Sequence, residues 1–410
     1  MVNKKKGAGN QLLSSNEKKK RSGALIGAAF LMATSAVGPG FLTQTAVFTE
    51  SLLASFGFVI LVSILLDIGA QMNVWRIITV SGKPGQDIAN AVLPGLGYVV
   101  AVFIVIGGLA FNIGNIGGTG LGLNAMLGLD VKIGAVISAA LAIFIFLSKE
   151  AGAAMDQIVK WLGGILLILI AYVMIVSQPP VGEAVLRTFV PIKLDIYAII
   201  TIVGGTVGGY ITFSGGHRLL DAGITGKESI PEVNRTSIMG IGVASLVRIM
   251  LFLAVLGVVS KGVSLDPTNP AATVFQYAAG EIGFRLFGLV LWVAGITSVV
   301  GAAYTSVSFL TSFSKKIEKY KNYWIIGFII FSTVVFVFIG NAATLLVLAG
   351  ALNGLILPLT LGSMLLAANN KKIMGDYKHP LWLTVSGIIV VILTAVLGVR
   401  TLIQMLPQLF

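Results

Sequence analysis

The chain has no cysteine and only two histidines, His217 and His379, in 410 residues. The first absence excludes disulfides, thiolate metal sites and cysteine nucleophiles. The second leaves little from which to build a histidine-based metal or catalytic centre. Charge is scarce as well: charged residues make up 11% of the chain against 56% hydrophobic ones, and mean hydropathy is +0.96. That balance is too apolar for a water-soluble fold of this size and indicates an all-α integral membrane protein. Polar breaks are short from residue 23 to 404, so one continuous membrane domain is expected rather than two or three soluble ones.

A helix crosses about 30 Å of hydrocarbon with about 20 apolar residues. About eleven segments qualify: 23–48, 53–76, 96–124, 131–148, 156–177, 196–220, 237–260, 282–310, 323–340, 342–369 and 381–403. Residues 1–22, with Lys4-Lys5-Lys6 and Lys18-Lys19-Lys20-Arg21, read as a basic cytoplasmic tail. The apolar run after them is too long for a signal-peptide core and continues into the bundle, so a cleaved signal is not expected. The net charge of +12 is a topology signal rather than a nucleic-acid surface. With the N-terminus inside, 21 of the 28 Lys and Arg fall on the cytoplasmic side, as the positive-inside rule requires. The expected location is a bacterial cytoplasmic (inner) membrane. The expected partners are the lipid bilayer and a small-molecule or ion substrate, with no nucleic acid and no obligate protein partner.

Two segments carry signs of a broken helix. Gly38-Pro39-Gly40-Phe41 places Pro between two glycines in the first, and Gly204-Gly205-Thr206-Val207-Gly208-Gly209-Tyr210 packs four glycines into six residues of the sixth. Small residues also serve close helix packing, but open backbone at membrane depth must line a cavity or be buried in protein. Breaks in the first and sixth of eleven segments fall at matching places in two five-helix halves, 23–177 and 196–369, with 381–404 as an eleventh helix. An odd repeat length inverts one half relative to the other, the pattern of a secondary transporter with its site at the midplane. A membrane hydrolase is disfavoured: Ser214 and His217 are three apart, but no third orienting group accompanies them. The chain is not expected to be an enzyme, and the paired breaks favour alternating access over a channel.

These residues resemble the NRAMP family of divalent-metal transporters, whose fold is of the LeuT type. Phe30-Leu31-Met32-Ala33 leading into Gly38-Pro39-Gly40-Phe41 is similar to the family's helix-1 stretch ending Asp-Pro-Gly-Asn. Gly204 to Gly209 lies over its helix-6 Gly-Ala-Thr-Val-Met-Pro-His. Ile116-Gly117-Gly118 with Leu123-Asn124, Ala294-Gly295 with Thr297-Ser298, and Leu357-Pro358 followed by Lys371-Lys372-Ile373-Met374-Gly375 match further family patterns. The resemblance implies a 5+5 inverted repeat with broken helices 1 and 6. It does not carry the functional groups across: the metal-binding Asp and Asn fall on Gly38 and Phe41, the Met on Gly208, the helix-6 His on Tyr210, the helix-3 Asp and Glu on Phe111 and Gly114, and the helix-10 Gln on Gly350. A second register, matching Gly38-Pro39-Gly40-Phe41 to an earlier Gly-Pro-Gly-Phe, puts Thr49 at the Asp position. Either register loses the carboxylate.

Hard divalent cations want carboxylate and carbonyl oxygens, and a thioether helps select transition metals. Neither acid nor thioether is expected at the breaks, and no metal site is expected there. What remains are two half-helices, 1b starting near Leu42 and 6b near Tyr210, whose N-termini favour an anion. A small carboxylate is the substrate class expected, with a divalent cation held by altered ligands as the alternative. Substrate contacts are expected from Gly38, Gly40, Phe41, Thr43, Gln44 and Thr45, from Gly208, Gly209, Tyr210, Thr212 and Ser214, and more weakly from Asn112, Asn115 and Asn353. The run Tyr210 to Asp221 resembles an NRAMP-like bacterial branch encoded beside 5-oxoprolinase subunits, which implies 5-oxoproline (pyroglutamate) as a candidate.

No cofactor is expected beyond a coupling ion, H+ or Na+. Asp67, Glu50 and Arg248 are intramembrane charges, functional by default; an Asp67–Arg248 pair that simply satisfies itself is the other reading. Thr297 and Ser298 are the candidates for a sodium site. His217, Arg218 and Asp221 fit either an inner gate or a helix-end salt bridge, Arg218 and Asp221 being three apart on one face.

Overall fold

The structure is a computed structural model that describes residues 37–409. The basic tail and the first segment as far as residue 36 lie outside the described residues. Every regular element described is a helix. In chain order these are α1 (Pro39–Leu52), a 3-10 turn at Leu53–Ser55, α2 (Phe56–Ser81), α3 (Gly85–Val92), α4 (Leu96–Leu127), α5 (Val131–Leu147), α6 (Lys149–Ser177), α7 (Val181–Phe189), α8 (Ile196–Thr206) and α9 (Tyr210–Asp221). After a second 3-10 turn at Lys227–Ser229 come α10 (Ile230–Val259), α11 (Pro270–Thr311), α12 (Lys315–Lys319), α13 (Lys321–Ile339), α14 (Ala342–Ala368), α15 (Lys371–Met374) and α16 (Leu381–Leu409).

Nine stretches among the described residues are long and apolar enough to span a bilayer. The difference from eleven is one of length. The first two segments run on as a single stretch, Pro39–Ser81, and the fourth, Val131–Leu147, has 17 residues. The long α11 contains the eighth segment: Gly280, at φ 62° and ψ −160°, interrupts it two residues before the expected start at 282. The short helices α3 and α7 were not foreseen, being too short to read as spans. α7 buries only Ala184 and carries an exposed Glu183–Arg187 pair at 2.6 Å.

Burial separates an inner set of helices from an outer one. α8 and α9 are almost wholly buried, and α1 nearly so. α13 and α16 turn large apolar side chains such as Phe331, Phe338, Ile389 and Ile392 outward, the face that belongs against lipid tails. Close approach in the centre rests on small residues, as in other membrane bundles. A Cβ at Gly204 would run into the backbone of Gly350 and Gly354 on α14, and one at Gly215 into the Trp75 ring on α2. Much of the glycine in the sixth segment therefore serves packing rather than the break itself.

Candidate substrate site at the two helix breaks

α1 begins at Pro39, not near Leu42. Gly38 is extended (φ −88°, ψ −172°) and Pro39 takes the first helical position, where its missing N–H costs nothing and its fixed φ suits the helix. The Pro39 ring is seated between two glycines: a Cβ on Gly118 of α4 would overlap it, and one on Gly295 of α11 would lie 3.4 Å from its Cγ. From there α1 runs unbroken past Thr49. Thr49, the position that the second register gives to the Asp, lies inside this helix.

The second break lies at Val207–Gly209, between α8 and α9. Gly209 sits at φ 49° and ψ −122°, a conformation that L side chains avoid. The Asn353 amide of α14 lies directly over it, and Asn353 is held in place by Nδ2 donation to the carbonyls of Gly107 and Ala349, each at 2.9 Å. α9 resumes at Tyr210, as expected. Neither Gly38 nor Gly209 offers a side-chain cap, so both half-helices present first-turn N–H groups and a positive dipole end.

A buried cation stands at the same place. The Arg248 guanidinium of α10 lies 4.1 Å from the centroid of the Phe41 ring and donates from Nη1 to Thr206 Oγ1 at 2.7 Å. It therefore touches the first turn of α1 and the last turn of α8. Arg248 is 2% exposed, and its Nε and Nη2 have no partner. Beside it, the Tyr210 ring packs edge-on to Phe111 at 5.6 Å with its hydroxyl turned to Asn115, and Phe111 closes against Gly40. Thr206 had escaped attention in the sequence, because nothing local marks it as the partner of a residue 42 positions away.

Several expected substrate contacts are already engaged. Thr45 Oγ1 donates to Phe41 O at 2.7 Å, and Thr212 Oγ1 to Val207 O. Gln44 donates from Nε2 to Leu346 O at 2.8 Å, its amide wedged against Gly205 and Gly350. Asn112 donates from Nδ2 to Ser332 Oγ of α13 at 3.1 Å. Thr43 and Ser214 are buried residues, and among the described residues neither hydroxyl has a hydrogen-bond partner, so both remain available.

Aromatic layers lie on either side of the breaks. Toward the expected outer face, Phe48 of α1 packs against Phe56 and Tyr197, and Phe56 against Phe252. Toward the inner face, Phe213 and His217 of α9 pack on Phe309 of α11. His217 Nε2 accepts from the Gly85 N–H at 3.1 Å, capping the first turn of α3. The Arg218–Asp221 pair expected from spacing does not form: both are exposed at the end of α9 with no ion pair between them. Glu50 accepts from the Leu265 N–H at 2.8 Å, tying α1 to the loop before α11. Thr297 Oγ1 bonds back to Ala294 O at 2.9 Å, whereas Ser298 Oγ is buried and unpartnered.

The family model described as "natural resistance-associated macrophage protein-like" matches residues 29–404. The chain belongs to the Nramp family. An uncharacterized membrane protein, YcsG of Bacillus subtilis (strain 168), is 64% identical over 94% of this chain and 96% of its own. A divalent metal cation transporter, MntH of Staphylococcus saprophyticus, is 24% identical over 87% of each. Among solved structures, a mutant of the Eremococcus coleocola manganese transporter superposes with a TM-score of 0.73 at 15% identity, covering 98% of this chain and 90% of that one. MhsT in complex with L-phenylalanine superposes at 0.61 and 14% identity, covering 92% and 98%. The fold is the LeuT-type 5+5 inverted repeat, its sixth segment broken between α8 and α9, and the Nramp family is one of membrane transporters.

Within this Nramp chain, the position that the first of the two registers gives to the helix-1 metal-binding Asn holds Phe41, with the Arg248 guanidinium over its ring. Among the described residues, no three or more His, Asp or Glu side chains cluster to hold a metal ion.

A second polar cluster, missed in the sequence, fastens α2 to the start of α16. Asn73 donates from Nδ2 to Gly69 O and Leu383 O, so its Oδ1 accepts from His379 Nε2 at 2.7 Å. That fixes the proton on Nε2. His379 Nδ1 then accepts from the Tyr377 hydroxyl at 3.4 Å, which in turn accepts from Arg76 Nη1 at 3.3 Å. Burial, and secondly the Arg76 charge, push His379 down to about 4.

Proposed function

We propose that this Nramp-family member imports a small organic carboxylate by alternating access, from a bacterial cytoplasmic membrane with its N-terminus inside, and that 5-oxoproline is the first acid to test. The observation that carries this reading is Arg248. A guanidinium with two free N–H-bearing nitrogens, in contact with α1 and α8 at the breaks, attracts a carboxylate and repels a divalent cation. Bidentate carboxylate recognition is what a planar fork of donors does best. The two uncapped half-helix N-termini add positive potential to the same place.

That a LeuT-type fold admits an organic substrate is supported by the L-phenylalanine complex of MhsT. Transport of a divalent cation with altered ligands is the second reading, favoured by the relatives named as metal transporters. Isothermal titration of the purified protein with 5-oxoproline and related acids, against Mn2+, Mg2+ and Ca2+, separates the two. Saturable binding of one acid and heats at background for the metals is the expected result; saturable Mn2+ binding with no response to any acid overturns the proposal.

A further inference from the structure

Asp67 of α2 is 1% exposed, and its Oδ1 accepts no hydrogen bond. The helix that carries Arg248, α10, packs along α2; no ion pair joins Asp67 and Arg248, and both keep unsatisfied polar atoms. A self-satisfied structural pair would leave neither in that condition. The other ionisable groups on elements packed against α2 are engaged elsewhere or lie at the periphery. Tyr197 of α8 packs on Phe48, His217 of α9 faces Gly85, and Glu183 and Arg187 of α7 pair with each other. Asp87 of α3 lies at the inner end, and Arg218, Asp221, Glu232, Arg235, Lys371, Lys372 and Arg400 are exposed.

We propose that Asp67 carries the coupling proton, and that Arg248 is the switch between this carboxylate and the carboxylate of the substrate. The inference rests on the reading of the site as one for a small acid. With the site empty, Asp67 is the counter-charge of Arg248. A bound substrate carboxylate takes over that charge, which leaves Asp67 as a lone buried carboxylate; it becomes neutral by taking one proton from the outer side. Substrate anion and proton then cross together, with no net charge moved. On the inner side the acid leaves, the buried Arg248 charge again favours the ionised form of Asp67, and the proton goes to the cytoplasm.

The test uses purified full-length protein in proteoliposomes with labelled 5-oxoproline, measured as exchange at equal pH and as accumulation under an inward proton gradient. Wild type is expected to do both. Asp67→Asn is expected to keep exchange and to lose accumulation entirely, and Asp67→Glu to restore accumulation with a shifted pH profile. Accumulation by Asp67→Asn equal to wild type overturns the assignment, as does wild-type accumulation that follows a sodium gradient and ignores pH. Should Asp67→Asn fail to fold, Asp67→Glu decides: an uptake profile against pH identical to wild type overturns it. Exchange in wild type without proton-driven accumulation sinks the coupling and leaves the carboxylate site standing, whereas absence of exchange in wild type sinks both.

Discussion

Arg248 lies over the ring of Phe41, the guanidinium carbon 4.1 Å from the centroid, at the first turn of α1. A cation held over an aromatic face is worth about 0.5–2 kcal/mol, so Phe41→Leu is expected to weaken acid binding by up to roughly 30-fold. Arg248→Gln removes a charged hydrogen-bond donor worth about 1.5–3 kcal/mol, a loss of roughly 10- to 150-fold in Kd. Arg248→Lys keeps the charge but not the fork, and is expected to recover only part of that loss. Isothermal titration with the acid checks the order; equal affinity in all four proteins would remove Arg248 from the site.

Gly209 and Asn353 make a second prediction. Alanine at 209 meets two separate penalties: the backbone at φ 49° and ψ −122°, costing about 1–3 kcal/mol, and overlap with the Asn353 amide. Gly209→Ala is expected to lower the melting temperature in detergent and to abolish transport. Adding Asn353→Ala removes the overlap but not the strain, so the double variant is expected to recover part of the lost stability. Full recovery would mean that the backbone penalty is absent.

The places where this fold could be read from the sequence are those where a residue's effect is local. Proline between glycines announces a break by itself, and Pro39 does start a helix; the restart at Tyr210 follows from Gly208-Gly209 in the same way. Low charge and long apolar runs revealed the spans, and the match with the Nramp family supplied their arrangement. What stayed hidden depends on neighbours far along the chain. Nothing near Arg248 in the sequence marks Thr206 or Phe41 as its contacts, and nothing near Gln44 marks Gly205, Gly350 and the Leu346 carbonyl as its berth. Spacing alone overstated the Arg218–Asp221 pair, because two exposed side chains at a helix end gain little by pairing in water.

The inner aromatic layer yields a third prediction. A Cβ at Gly85 would press on the Phe213 ring, which together with His217 and Phe309 forms that layer. Gly85→Ala is expected to loosen it and favour an inward-open form. The chain has no native cysteine, so Ser214→Cys in this background can be read by a membrane-impermeant thiol reagent applied from the inner side. Faster labelling of Ser214→Cys with Gly85→Ala than without it is the expected outcome, and equal rates would show that this layer does not close the site.

The chain of bonds from Arg76 through Tyr377 and His379 to Asn73 makes stability depend on acid. His379 is held at about 4 in the folded state, first by burial and then by the Arg76 charge, against about 6.5 in an unfolded chain. Between those values the unfolded chain binds a proton that the folded one refuses, so stability falls as pH drops through about 6.5 toward 4 and is complete above that window. A proton on Nδ1 would also turn the acceptor of the Tyr377 hydroxyl into a donor. His379→Gln has no such proton to refuse. Its melting temperature in detergent is expected to lie below wild type at pH 7.5, because the bond to Asn73 is weakened, yet to fall less steeply toward pH 4.5. Parallel slopes in the two proteins would show that His379 is not the group responsible.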